Sequence, residues 1–196
     1  MKFLIVSVLV AVVAGLSNAG TVQRLGMFRD SSLGSCPNIT NKEDLEVVPY
    51  LGAWYEIERF DIIWQLGMDC VEAIYSDIGG GWVEVHNVAR KPSGEFTEII
   101  GNATVIAPGV LYVIFAGHVP AEYHVLDTDY TTFSSVYNCF ETGPERFQYA
   151  WILSRTTTLD DATYDRARQA FADNNIDLSL FHPTYQGDDC PYLGTQ

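Results

Sequence analysis

Basic residues are scarce in this chain. Eleven Lys and Arg stand against 25 Asp and Glu, a net charge of −14 over 196 residues. So acidic a surface argues against nucleic acid and against anionic membranes as partners, because both are held by Lys and Arg. Cysteine is sparse as well: Cys36, Cys70, Cys139 and Cys190 are the only four. No two of them stand in C-x-x-C spacing, which argues against a zinc ribbon or a dithiol redox motif. A Ser-His-Asp array, a metal-ligand motif and a Gly-rich phosphate loop are all missing, so the reading is non-enzymatic, with no metal and no required cofactor. Internal repeats and low-complexity linkers are missing too.

Only one long apolar run is present. Lys2 precedes the charge-free stretch Phe3 to Leu16, and Ser17 and Ala19 supply small residues at the −3 and −1 positions of a cleavage site. That is the layout of a secretory signal peptide over residues 1–19. The run is shorter than the ~20 residues that span a bilayer, so a membrane anchor fits less well. No other stretch can span, so the mature protein is expected to be extracellular with no transmembrane segment. Residues 20–196 then form one domain, long enough for a sizeable core and no more. In an oxidising compartment the four cysteines read as two disulfides, with the pairing open at this point. Asn38-Ile39-Thr40 and Asn102-Ala103-Thr104 are sequons for N-glycosylation.

From Gly20 to about Val47 the chain is polar and rich in turn residues, an arm tied down at Cys36. Tyr50 to Arg155 reads as short strands broken by turns at intervals of about ten residues. The turns are Gly79-Gly80-Gly81, Lys91-Pro92-Ser93-Gly94, Ala107-Pro108-Gly109 and Glu141-Thr142-Gly143-Pro144. This rhythm predicts an antiparallel sandwich or barrel, not a parallel sheet with crossover helices. One helix follows, with Thr158 as the expected cap, acids in its first turn and Asn174-Asn175 at its end. Its small-residue stripe (Ala167, Ala170 and Phe171, with Ala162 and Tyr164 roughly aligned) is expected to pack outside the sheet.

The strand from Phe147 to Arg155 carries the most information. Phe147, Tyr149, Trp151 and Leu153 share one face, which is either tightly packed core or the wall of a cavity. Tyr112, Phe115, Tyr123, Phe133 and Tyr137 add further rings, several with polar tips, which suit a partly open cavity. Glu56 and Glu58 share the parity of Trp54, so either one reaches the cavity as a polar anchor or both are solvated beside a bulge. His86 and His124 read as surface residues. The segment 61–68 is unusually apolar: a lid, a ligand contact, a docking patch, or ordinary packing into a barrel mouth.

Three motifs now stand in order: Gly52-Ala53-Trp54, Thr128-Asp129-Tyr130 and Arg155. Together with the following helix, this series resembles the lipocalin family. The CPN at Cys36, LGAWYEIE, a Cys70 followed by Tyr75-Ser76, WILSR, NNID and a late CPYL resemble the branch that includes apolipoprotein D and the arthropod bilin- and carotenoid-binding members. The resemblance covers roughly Cys36 to Leu193. It implies an all-β fold: an eight-stranded antiparallel up-and-down barrel with one helix outside, just wide enough for one small ligand. It implies that Trp54 plugs the closed end under Arg155 and that Thr128, Asp129 and Tyr130 form the adjoining turn, so that Gly52 and these residues serve structure. It also implies the pairing Cys36–Cys139 and Cys70–Cys190.

Carried over residue by residue, the resemblance puts Tyr123, Phe115, Tyr149 and Trp151 foremost on a ligand wall. Val113, Val125, Ile99, Val136 and Glu56 join them. The implied function is carriage of a small hydrophobic molecule: a retinoid, carotenoid, bilin, fatty acid or steroid-like compound. Alternatives are a pigment-binding subunit that pairs with its own or another chain through the barrel mouth, and a thiol-dependent isomerase.

Overall fold

The computed structural model describes residues 31–193. The expected signal peptide, residues 1–19, and the first part of the expected arm lie outside the described residues. In chain order the elements are β1 (Ser31–Leu33), the single-turn α1 (Val47–Tyr50), β2 (Gly52–Phe60), β3 (Asp69–Gly79), β4 (Trp82–Arg90), β5 (Phe96–Ala107) and β6 (Val110–Phe115). They continue through β7 (Ala121–Thr128), β8 (Phe133–Thr142), β9 (Glu145–Ser154), α2 (Asp161–Asp173) and β10 (Phe181–Pro183). Strands β2 to β9 pair in sequence order, every neighbour antiparallel, and β9 returns to pair with β2. That closes an eight-stranded up-and-down barrel and removes the free sheet edges that would otherwise recruit other chains. Two short strands extend the seam, β1 on β9 and β10 on β2.

Turn chemistry places the hairpins where the sequence marks them. Gly79, Gly80 and Gly81 all have positive φ, 65–82°, between β3 and β4, a conformation that side-chain-bearing residues rarely adopt. The other three marked turns join β4 to β5, β5 to β6 and β8 to β9. Alternation then sorts the side chains into two cores. Trp54, Ala73, Tyr75, Val83, Val85, Ala103, Leu111, Val125, Val136 and Leu153 pack inside the barrel. Phe60, Leu126, Phe133, Tyr137, Ala150 and Ile152 point outward and are covered by Ala167 and Phe171 of α2, with Ile176 and Phe181 beyond it. Phe133 and Tyr137 therefore belong to the helix interface rather than to a cavity, and Tyr112 faces solvent.

The helix is capped by Asp160, not Thr158. The Asp160 carboxylate accepts from the backbone N–H groups of Ala162 and Thr163, both at 3.1 Å. A carboxylate cap also suits the helix dipole, which explains why it prevails over the nearby threonine. Ala162 is exposed, so the buried stripe starts one turn later than its spacing suggests.

Two disulfides, Cys36–Cys139 and Cys70–Cys190, staple the two terminal arms to the barrel. They are the pairs that the family resemblance implies. Sequence separations of 103 and 120 put each at about 4–5 kcal/mol in the chain-entropy picture, an upper figure.

Candidate functional site

The closed end of the barrel is built from Trp54, fully buried, whose indole N–H donates to Tyr50 O at 2.9 Å. The Arg155 guanidinium lies over the indole at 3.7 Å. Its nitrogens donate to Tyr130 O, Ala53 O and Leu51 O at 2.8–2.9 Å and to Pro49 O and Tyr50 O at 3.0–3.2 Å. One side chain thus ties together the α1 turn, the start of β2 and the β7–β8 turn. Asp129 holds that last turn by accepting from the backbone N–H groups of Thr131, Thr132 and Phe133, while Thr128 Oγ1 donates to Phe133 O at 2.6 Å. Tyr130 takes a left-handed backbone with φ 69°. Desolvation lowers the Arg155 pKa from the ordinary guanidinium value.

Above this plug the interior changes character. Val125 and Val136 are fully buried and form its floor. Val113, Phe115, Tyr123 and Trp151 also point inward and pack on the same core, yet each keeps accessible surface. Inward-facing residues that remain accessible mean a hollow, not a filled core. The Phe115 ring closes over Gly101 on β5, where a Cβ would sit within 2.5 Å of it, so glycine makes room for the ring. Ile99, half-buried, continues the inward parity of Gly101 and Ala103 toward the mouth. Near the floor a row of hydroxyls crosses the interior. Ser134 Oγ meets Tyr50 OH at 2.8 Å, Tyr50 OH meets Tyr123 OH at 3.0 Å, and Tyr123 OH meets Tyr75 OH at 3.0 Å. Burial pushes Tyr50 up to about 12 and holds Tyr75 and Tyr123 well above the ordinary phenol value.

The mouth is organised by a β-bulge. The register of β2 on β9 pairs Glu56 with Leu153, then Glu58 with Ile152 and Arg59 with Trp151, leaving Ile57 as the extra residue. Glu56 keeps the inward parity of Trp54. Glu58 is turned outward, where its carboxylate accepts from Tyr164 OH at 2.7 Å and Arg168 Nη1 at 2.5 Å on α2. Neither acid is solvated, and the pair does not share a face. The bulge turns Arg59 inward instead. Its Nη1 donates to Glu56 Oε1 and to Thr184 Oγ1, and its Nη2 donates to Gln65 O at 2.8 Å and Met68 O at 3.0 Å.

Arg59 therefore fastens the apolar 61–68 loop to the barrel from within. Gln65 extends the connection, donating to Glu56 Oε2 and accepting from Trp151 Nε1, both at 3.3 Å. Within the loop Ile62 is fully buried, whereas Ile63, Trp64 and Leu66 are 45–56% exposed. Trp64 nevertheless packs its ring on Tyr149 at 5.1 Å, and Tyr149 on Trp151 at 6.3 Å, so a ladder of rings leads from the rim to the wall. The loop combines packing with an exposed rim.

Alternation locates most of the wall, Tyr123 included, but misses Arg59, Gln65, Thr184 and the two tyrosines, Tyr50 and Tyr75, that bond to Tyr123. Tyr50 lies outside the strands and Thr184 on a late arm, and no strand count reaches them. Asn87 was within reach, since it follows Val83 and Val85 on the inward side of β4. His86 and His124 sit outside, bonded to Glu98 and to Glu122 and Asn41. Asn38 and Asn102 are both exposed.

Comparison with known proteins agrees with this architecture. The lipocalin-like domain family matches residues 45–186. Apolipoprotein D of Macaca fascicularis is 34% identical over 188 residues, covering 93% of this chain and 95% of that protein. Apolipoprotein D of Cavia porcellus is 35% identical over 163 residues, covering 81% and 85%. Among solved structures, lobster apocrustacyanin A1 superposes with a TM-score of 0.77 at 23% identity, covering 85% of this chain and 96% of that one. Insecticyanin of Manduca sexta superposes with a TM-score of 0.73 at 24% identity, covering 83% and 93%.

Proposed function

The chain belongs to the lipocalin family, and from that premise we propose that it is a secreted carrier holding one small hydrophobic molecule in the barrel. The observation that carries this reading is the accessible, inward-facing wall of Val113, Phe115, Tyr123 and Trp151 above a packed floor. Tyr149 borders that wall at the rim, Ile99 stands near the mouth, and Val125 and Val136 lie beneath. Glu56 acts through its bond to Arg59. Affinity comes from apolar burial at ~25 cal/mol per Å², less the cost of association, with polar tips fixing orientation. A retinoid, carotenoid, bilin, fatty acid or steroid-like skeleton fits such a wall. The signal peptide reading and the exposed sequons at Asn38 and Asn102 support secretion and glycosylation.

The test is native extraction. The secreted protein is purified without organic solvent, its absorption spectrum recorded, and its extract identified by mass spectrometry. Expected is one hydrophobic compound in near-stoichiometric amount. An empty protein that also binds none of these five ligand classes on titration overturns the reading.

A second reading, a pigment-binding subunit paired through its mouth, is favoured by the exposed Ile63, Trp64 and Leu66. A dimer by native mass together with a visible absorption band supports it; a colourless monomer excludes it. A thiol isomerase has little support, because all four cysteines are in disulfides.

A further inference from the structure

Two buried side-chain atoms have no hydrogen-bond partner among the described residues: Arg59 Nε and Asn87 Oδ1. Both belong to side chains on the inward side of the barrel. Arg59 stands opposite Trp151, and Asn87 stands between Ala73 and Ile99. One atom is a donor and the other an acceptor. A buried polar atom left unpaired carries the full desolvation penalty, so each calls for a partner that the chain itself does not provide.

Charge narrows the partner. The remaining Arg59 contacts are Glu56, the Thr184 hydroxyl and the carbonyls of Gln65 and Met68. Glu56 is the only anion among them, and it is in direct ion-pair contact, so the pair is neutral as a unit. A ligand carboxylate placed against Arg59 Nε would bring a second anion beside Glu56 with one cation between them. Two like charges out of water are the costly arrangement. An uncharged oxygen accepts from Nε without that penalty. A hydroxyl can also donate to Asn87 Oδ1, and if the amide is turned the other way it accepts from Nδ2.

Resting on the carrier reading above, we propose that the cavity selects ligands whose polar end is uncharged, alcohols foremost, over carboxylates of the same skeleton. Arg59 and Asn87 supply the hydrogen bonds, and Glu56 sets the charge preference.

Retinol and retinoic acid share a polyene and differ at the head group, which makes them a matched pair of probes. Each is titrated into the disulfide-intact secreted protein at neutral pH, with quenching of tryptophan emission as the signal. Retinol is expected to bind tighter by on the order of tenfold or more. Glu56→Gln keeps the side-chain shape but leaves the Arg59 charge uncompensated. It is expected to shift the retinoic acid to retinol affinity ratio toward the acid by about tenfold or more. Asn87→Ala is expected to weaken retinol relative to retinoic acid. Retinoic acid binding as tightly as retinol, or a ratio that E56Q does not move, overturns the proposal and leaves the carrier reading standing. If E56Q fails to fold, the wild-type ratio alone decides. If neither retinoid binds, the carrier reading falls for this ligand class and the proposal falls with it.

Discussion

Replacing Arg155 with Ala isolates what the closed end contributes. The guanidinium makes a cation–π contact with Trp54 at 3.7 Å and reaches five backbone carbonyls, on Pro49, Tyr50, Leu51, Ala53 and Tyr130. The ring contact is worth roughly 1–2 kcal/mol where water is excluded. A hydrogen bond to a charged donor contributes about 1.5–3 kcal/mol, but Arg155 is only half-buried, and water replaces the donors at its outer edge. Counting only the inner carbonyls, at the low end of that range, the total loss is about 3–5 kcal/mol, at the upper edge of single-substitution effects. For a domain of this size a urea slope of about 2 kcal/mol/M turns that into a midpoint lower by roughly 2 M. Equilibrium urea unfolding of the oxidised protein, followed by tryptophan emission, reads it directly. Arg155→Lys keeps the charge but not the planar fork, so it is expected to recover less than half of the loss. A loss below about 1 kcal/mol for Arg155→Ala would refute the view that this residue fastens three elements at once. Ligand affinity, measured well below the unfolding midpoint, is expected to stay unchanged.

Trp151→Ala and Trp54→Ala are expected to separate binding from folding. The first removes an accessible wall residue, so ligand affinity falls about tenfold or more while the urea midpoint moves little; the second empties a fully buried site and destabilises by about 3–5 kcal/mol. If Trp151→Ala proves the more destabilising of the two, the interior is packed where it has been described as hollow. High pH gives an independent check on the tyrosine row. Desolvation raises Tyr50 to about 12 and holds Tyr75 and Tyr123 well above the ordinary phenol value, whereas in the unfolded chain they titrate near ~10. The folded state then holds these protons more tightly, so their contribution to stability is complete below pH ~10 and is lost as pH rises from there toward 12 and beyond. In the phenolate absorbance titration these tyrosines are expected to stay silent until the barrel opens. A single transition near pH ~10 in the folded protein would contradict the burial assigned to them.

The outline of this fold is legible in the sequence for local reasons. Gly79-Gly80-Gly81 can hardly do anything but turn, and Val83, Val85 and Asn87 can alternate only one way once that turn is fixed. Trp54, Thr128, Asp129, Tyr130 and Arg155 are recognisable through the family resemblance, and the structure gives them physical work: a large ring, a flat cation above it, and a carboxylate that caps a turn. The helix boundary is less legible, since Thr158 and Asp160 both can cap, and the carboxylate prevails by accepting from two backbone N–H groups and suiting the helix dipole.

The mouth is where counting fails, and the reason is a single inserted residue. Strict alternation from Trp54 places Glu58 inside and Arg59 outside. Ile57 takes the extra position of the bulge, and from there every side chain of β2 changes face. Glu58 becomes an anchor for α2, and Arg59 becomes the buried cation that joins Glu56, the 61–68 loop and Thr184. No periodicity in YEIERF announces this, because Glu-Ile-Glu-Arg reads as an ordinary half-exposed strand. The bulge nonetheless decides what the cavity can hold. Without it Arg59 would face solvent, Glu56 would stand unpaired inside the barrel, and an uncompensated carboxylate at the mouth would repel acids and attract cations. With it the same four residues present a neutral pair and one free donor. Deleting Ile57, the extra residue itself, would instead make the seam between β2 and β9 regular and still leave Glu58 outward and Arg59 inward, because plain alternation from Glu56 then gives the same faces.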